Sequence, residues 1–314
     1  MITVSAVIPC YNRAGTIGDA IASVQSQTRA PLEVIVVDDG STDGSADIAE
    51  RYDVRVIRLP RNRGSAAARN AGIRAAVGDA IAWLDSDDYW EPHHLATIAA
   101  LLDRYPEAAV AAGAVRLVGT RSGTWYGRVP EGPPANVLRN AFYATVVHCI
   151  ATIVRREALA DVGGFDETEF YAEDFDIWLR LAREHNFVAR REVTANYRWH
   201  GAQTSSDPLS PLLATYKSRK RVLDAIRRDG EDDLADELSE IFRNRWMEDL
   251  QTAWDHDQAE LLPDLLDLSP LVPEPSPEIK RKWMLRSHIP TRAVPFLRAC
   301  RSRFAHDQSD MQVQ

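Results

Sequence analysis

The chain has 314 residues, 45% of them hydrophobic and 26% charged, with a formal net charge of −9. This is the composition of a soluble globular protein, long enough for one large domain or a core domain with an appendage. The acidic balance argues against a protein built to coat nucleic acid. The absence of any run of about 18 apolar residues argues against a membrane span. The three cysteines, Cys10, Cys149 and Cys300, lie far apart and in odd number. That pattern fits a reducing, cytoplasmic compartment rather than a disulfide framework. The opening "MITVSAVIPCYN" lacks the basic region of a signal peptide and is expected to begin a first strand.

The first part of the chain alternates two periods. "TVSAVIP" predicts a strand, and "GTIGDAIASVQSQT" a helix with Ile17, Ile21 and Val24 on one face. "LEVIVVDDGS" predicts a strand buried on both faces, "SADIAERY" a helix and "VRVIRLP" a strand. "SAAARNAGIRAA" predicts a helix with Ser65 as N-cap. "DAIAWLDSDD" predicts a fourth strand, and "EPHHLATIAALLDRY" a helix with Pro92 in its first turn. Repeated β-α units imply a parallel sheet with helices on both faces, whose ligands bind outside the carboxyl ends of the strands. Those ends are "PCYN", "DDGS", "PRNRG" and "DSDD", and all four are expected along one edge.

From about residue 109 the pattern changes. "AAVAAGAVRLVG" and "GTWYGRV" predict strands of a hairpin or small mixed sheet, and "EGPPANVLRN" a loop and short helix. "HCIATIVRR" predicts a strand followed by a helix, "EDFDIWLRLAREH" an amphipathic helix, and "VTANYRWHG" an extended segment. Residues 209–268 read as acidic helices with a break at "RRDGEDD". A Pro-rich linker follows at 269–278. Residues 278–306 hold eight Lys or Arg and one Glu, with Ala293, Leu297, Cys300 and Phe304 on one helical face. A basic amphipathic helix of this kind suits an anionic membrane surface, with residues 279–306 as the contact, or the acidic helices before it.

The acids at the end of the fourth strand raise an electrostatic question. Asp85, Asp87 and Asp88 stand within four positions, and like charges that close raise one another's pKa unless a cation separates them. Asp85-Ser86-Asp87 supplies hard oxygens suited to Mg2+ or Mn2+; the alternative is a solvated turn. Asp38 and Asp39 follow a buried strand and can accept hydrogen bonds from a base or ribose, while Ser41 or Asp43 can cap the next helix. Asn62, Arg63 and Arg69 stand beside the acids, and an arginine binds a diphosphate bidentately. Glu173 and Asp174 precede a helix, so Asp174 can act as general base or cap. His200 is a possible metal or phosphate ligand. Neither a dinucleotide-binding glycine fingerprint nor a Walker-type loop is present.

In order and spacing, "SAVIPCYNR", "VIVVDDGSTDGS", "NRGSAAARNAGI", "GDAIAWLDSDD", "GGFDE", "YAEDFDIWLRL" and "YRWHGAQTS" resemble the motifs of family 2 glycosyltransferases with a GT-A fold. The resemblance covers residues 3 to 205. It implies an α/β GT-A fold, a mostly parallel sheet flanked by helices, with a helical C-terminal extension. The implied organisation is a catalytic domain at 1–205, divided into a nucleotide-binding half at 1–105 and an acceptor half at 106–205. A helical extension at 206–268 and a linker with basic tail at 269–314 follow. By resemblance, Pro9, Tyr11, Asn12, Asp38 and Asp39 hold the nucleoside. Asn62 and Arg69 fall near the nucleotide and diphosphate. Asp85 and Asp87 hold Mn2+ or Mg2+, with His200 as a further ligand. Ser86, Glu173 and Trp178 complete the substrate set, and Asp174 is the general base. Asp88 receives no role.

The implied reaction is a metal-dependent, inverting transfer from a nucleoside-diphosphate sugar, UDP by default, to a hydroxyl of a glycan or lipid-linked acceptor. A bound metal and an arginine stabilise the leaving diphosphate, and one carboxylate opposite it deprotonates the acceptor. Two other readings share parts of the pattern. A nucleotidyltransferase of similar fold would need a Gly-rich basic loop after the first strand, where "PCYNRAGT" has only Arg13 and one glycine. A non-catalytic nucleotide-sugar-binding module would lack the metal acids or the base.

Overall fold

The computed structural model describes residues 1–199 and 209–255. The chain divides into two compact units, Met1–Val222 and a second beginning at Leu223.

In the first unit, β1 (Val4–Cys10), α1 (Ile17–Gln25), β2 (Glu33–Asp38), α2 (Ser45–Ala49), β3 (Arg55–Arg58), α3 (Ser65–Ala75) and β4 (Ala80–Trp83) alternate as the hydrophobic periods require. There follow β5 (Tyr89–Trp90), α4 (His94–Arg104), β6 (Ala108–Gly119), β7 (Gly123–Trp125), α5 (Leu138–Tyr143), β8 (Thr152–Arg155), α6 (Arg156–Asp161), α7 (Glu173–Glu184) and β9 (Asn186–Trp199). Helix α8 (Leu209–Arg228) carries the boundary between the units, and α9 (Asp232–Asp255) follows after the break at residues 229–231. In α9 the side chains of Leu238, Phe242, Trp246 and Leu250 are fully buried at four-residue spacing, one apolar stripe of a helix.

The strand order is β3-β2-β1-β4-β8-β6-β9-β5, with β7 paired to β6. The sheet is mixed. The pairs β1–β2, β1–β4, β2–β3 and β6–β9 are parallel, while β8, β5 and β7 pair antiparallel. The N-terminal four strands, in the order β3-β2-β1-β4, form an all-parallel run, and each is joined to the next in sequence through a helix. Cys10 pairs with Asp38, and Asp38 with Arg58, so these three strands end level. Trp83 pairs with Val7, so the "LDSDD" turn runs out over the end of β1. Polar strand ends therefore do share one edge.

Several local expectations change. Ser65 is the first helical residue rather than the N-cap; Gly64, at φ 91, stands before it. Pro92 precedes α4, whose N-cap is His93. "HCIATIVRR" opens with a 3-10 turn at Cys149–Ala151 before the short β8. "VTANYRW" is the second half of a longer strand that starts at Asn186. Residues 256–268, the linker at 269–278, the basic segment at 279–306 and His200 lie outside the described residues.

Candidate active site

Three loops at the carboxyl edge are tied together by their own polar atoms. Asn12 takes a left-handed φ of 51, which Asn tolerates better than most residues. Its backbone N–H donates to Ser41 Oγ at 2.9 Å, and its Oδ1 accepts from the Thr42 N–H at 2.9 Å. Gly40, at φ 76, leaves no room for a side chain: a Cβ there would lie 2.7 Å from the Arg61 carbonyl carbon. The "PCYN", "DDGS" and "PRNRG" segments thus pack as one rim. Tyr11 is exposed and Pro9 half-buried on it.

The paired aspartates after β2 have different work. Asp39 accepts N–H bonds from Arg63 at 2.9 Å and from Gly64 at 2.8 Å, so its carboxylate closes the entrance of α3. Burial raises its pKa, against those two bonds. Asp38 accepts one bond, from the Ser41 N–H at 3.2 Å, and its buried Oδ1 has no hydrogen-bond partner among the described residues. Asn62, exposed, accepts from the Gly64 N–H at 3.0 Å. The N-cap of α2 is Gly44, and Asp43 just before it accepts the Ser45 N–H at 3.0 Å.

At the end of β4 the acids separate. Asp88 is fully buried and accepts the Arg198 N–H of β9 at 2.7 Å. Burial, then the charges of Asp85 and Asp87, push its pKa up to about 9, so it is protonated at neutral pH. Ser86 is also buried. Asp87 is half-buried and pairs with Arg13 Nε at 3.1 Å. Asp85 is half-buried, and its Oδ1 accepts from Arg69 Nη2 at 2.8 Å. Burial raises the Asp85 pKa against the pull of Arg69.

Arg69 is the hub. It comes from the middle of α3 and is 5% exposed, with its guanidinium 5.5 Å over the Phe165 ring. Its Nη1 donates to Glu173 Oε1 at 2.6 Å. Ser65 donates its hydroxyl to the same oxygen. Glu173 and Asp174 open α7. The loop before it is fastened to α3 through Asn70, which donates to the Phe165 carbonyl at 2.9 Å and accepts the Phe165 N–H at 2.9 Å. Gly164, at φ 74, allows this contact, since a Cβ would meet Asn70 Oδ1 at 2.7 Å. That is the local reason for "GGFDE".

Asp174 is half-buried, and its Oδ1 accepts the Phe175 N–H at 2.7 Å. Burial first, then the Glu173 charge, push its pKa up to about 6, while Arg69 pulls the other way. That value still lies below neutral pH, and a base works in its ionised form. Trp178 is placed elsewhere than expected. It is 1% exposed and packs edge-on against Trp83, at 6.3 Å, and Phe187, at 6.5 Å. Its ring belongs to the core beneath α7, so it supports the site and offers no face to a substrate.

Pro9, Tyr11, Asn12, Asp38, Asp39, Asn62 and the acids that follow β4 therefore converge with Arg69, Glu173 and Asp174 on one edge. Arg13 and Ser65 join them through Asp87 and Glu173. Their side-chain partners lie 74 and 108 residues away, beyond any local pattern. Asp85 and Asp87 supply hard carboxylate oxygens of the kind Mg2+ or Mn2+ takes alongside substrate phosphates. Among the described residues no three His, Cys, Asp or Glu side chains gather into a ready-made cage. Among them, too, no helix is long and apolar enough to cross a membrane.

The family profile described as Glycosyl transferase family 2 matches residues 5–163. A glycosyltransferase of Rickettsia prowazekii, RP339, is 30% identical over 217 residues, covering 67% of this chain and 68% of that protein. TuaG of Bacillus subtilis, named for teichuronic acid biosynthesis, is 30% identical over 221 residues, covering 68% of this chain and 85% of its own. Among solved structures, residues 1–349 of S. aureus TarS in complex with UDP-GlcNAc superpose with a TM-score of 0.71 at 22% identity, covering 91% of this chain and 88% of that one. The chain belongs to glycosyl transferase family 2 and is a glycosyltransferase with a GT-A-type fold.

Proposed function

We propose that the protein transfers a sugar, with inversion, from a UDP-linked donor to a hydroxyl of a glycan or lipid-linked acceptor, and that the reaction depends on Mn2+ or Mg2+. The observation that carries this reading is the Glu173–Arg69–Asp85 chain of ion pairs, 2.6 and 2.8 Å long, which ties the acids after β4 to the start of α7 where Asp174 is the next residue. A base and a charge-stabilising group held this close serve the two ends of one displacement.

In this reading residues 1–205 are the catalytic domain, with 1–105 gripping the nucleotide and 106–205 the acceptor. Asp38 Oδ1, without a partner among the described residues, accepts a hydrogen bond from the base or ribose. Pro9, Tyr11, Asn12 and Asn62 line the nucleoside, with Asp39 holding that rim in place. Asp85 and Asp87 are the metal acids, and His200 remains a candidate third ligand. When bound, the metal offsets charge on the departing diphosphate. Asp174 takes the acceptor proton, and attack from the side opposite the diphosphate inverts the anomeric centre. The pairing of UDP-GlcNAc with TarS supports a UDP sugar, and the name of TuaG supports a cell-surface polysaccharide as product. Contact of residues 279–306 with an anionic membrane surface belongs to the same proposal.

Calorimetry of UDP binding with and without Mn2+, in wild type and Asp87→Ala, tests it together with release of UDP from a panel of UDP sugars. The expected result is metal-dependent affinity that Asp87→Ala removes, and metal-dependent UDP release that Asp174→Asn removes. Unchanged UDP affinity in Asp87→Ala, or no release from any donor, would overturn the reading.

A further inference from the structure

We propose that Arg221 of α8 is a positioning residue for Asp174, the base of the transferase reading on which this inference rests. It holds the first turn of α7 and the loop before it in one place. Its Nη1 donates to Asp166 Oδ2 at 2.8 Å, and its Nη2 donates to Asp176 Oδ1 at 2.8 Å. Glu169 Oε2 lies 3.6 Å from the same Nη2. One guanidinium thus joins three acids of the segment 166–176, and Asp174 stands just before the last of them, separated by Phe175 alone.

Both residues that follow the base are held by an arginine of α8. Asp176 is 2% exposed, and its second oxygen accepts from Arg180 Nε at 2.8 Å. Arg180 in turn donates to the Val162 and Gly164 carbonyls, at 2.6 and 2.8 Å. Phe175, whose N–H binds Asp174 Oδ1, lies 4.5 Å beneath the Arg219 guanidinium. Arg219 is buried and donates to the Phe142 and Tyr143 carbonyls, at 2.5 and 3.1 Å. From the opposite side α3 holds the same loop, through Asn70 to Phe165 and through the residue before the helix's N-cap, Arg63, to Glu167 at 2.6 Å.

Two features separate this hold from an ordinary surface ion pair. A planar guanidinium that binds two carboxylates fixes direction as well as distance. One of those carboxylates is nearly buried and needs its counter-charges to stay there. The family profile ends at residue 163, yet the compact unit that contains the site runs to Val222, one residue past Arg221. A helix beyond the profile therefore completes the placement of the base. Placement matters because a shift of about 1 Å in a reacting group can cost about 100-fold in rate.

Steady-state release of UDP from a panel of UDP sugars, together with hydrogen exchange on the full chain, tests the proposal. Arg221→Gln should lower kcat about ten-fold or more and leave donor KM within about two-fold, since the donor-binding edge is untouched. Arg221→Lys keeps the charge without the fork and should recover only part of the rate. Amides of residues 165–176 should exchange faster in Arg221→Gln, while those of β1 to β4 stay as in the wild type. Where Arg221→Gln does not fold, Asp166→Asn, which weakens one of the two bonds, carries the same expectation at smaller size. A wild-type kcat in Arg221→Gln, a change confined to donor KM, or unchanged exchange at 165–176 would overturn the proposal. A wild type that releases UDP from no donor would overturn the transferase reading instead; faster exchange at 165–176 in Arg221→Gln would then still support the hold on α7, and unchanged exchange would overturn it.

Discussion

Arg69 and Glu173 stand 104 residues apart in sequence and meet at 2.6 Å between Nη1 and Oε1. The other terminal nitrogen, Nη2, holds Asp85 at 2.8 Å. One nearly buried cation therefore joins the middle of α3, the end of β4 and the first turn of α7. Glu173→Gln keeps the shape and removes one charge, so it should lower kcat by up to about 100-fold, through misplacement of Asp174, with a smaller change in donor KM. Arg69→Met strands two acids without their counter-charge and should cost about 3–5 kcal/mol of stability. Steady-state kinetics and chemical denaturation separate the two effects. A Glu173→Gln enzyme with wild-type kcat would show that the bridge does not position the base.

Asp174 sets a pH dependence. Its pKa of about 6 is raised, and the base works only when ionised. Activity should therefore rise through about pH 6 and level off above about pH 7. Asp174→Asn should remove this limb and lower kcat by at least about 100-fold. A pH–rate profile from pH 5 to 8 at saturating donor checks both points.

The two adjacent aspartates after β2 should fail differently. Asp39→Ala removes the acceptor of the Arg63 and Gly64 N–H groups at the mouth of α3, and should cost about 1–2 kcal/mol of stability, the range of a lost helix cap. Asp38→Asn leaves the loop's shape intact and should weaken UDP binding with little change in melting temperature. Thermal melts and calorimetry on the pair distinguish them; matched effects would undo the division of labour.

His94 should make the protein acid-sensitive away from the site. It is fully buried against Trp90, at 4.3 Å between rings, and burial lowers its pKa from 6.5 to about 3. The folded state then binds fewer protons than the unfolded one between those values. The stability it protects is complete above about pH 6.5 and is lost as pH falls toward 3, by about 2 kcal/mol at pH 5. His94→Phe, which keeps a ring on Trp90, should flatten this slope in urea melts at pH 5 and 7. An unchanged slope would place the acid sensitivity elsewhere.

Much was legible without coordinates because it is local. The alternation of two-residue and helical periods marks β1 to β4 and then α4, but not the two-residue β5 between them, since burial on a strand or helix face imposes its period directly on the chain. The end of each strand is announced by "DDGS", "PRNRG" or "DSDD", because turns need those residues. The position of the acids at the strand ends followed from the parallel arrangement alone.

What only the tertiary structure decided is which polar atom meets which. Asp88 is a neutral acid holding β9, Asp39 a support for α3, Ser65 a donor to Glu173, and Trp178 a core ring. Their spacing in the chain reads the same either way. Periodicity records how a segment faces the core, whereas a hydrogen bond between residues a hundred positions apart depends on the packing and register of several elements at once. The chain announced its acids; the packing of α3, β4, α7 and β9 gave each one its partner.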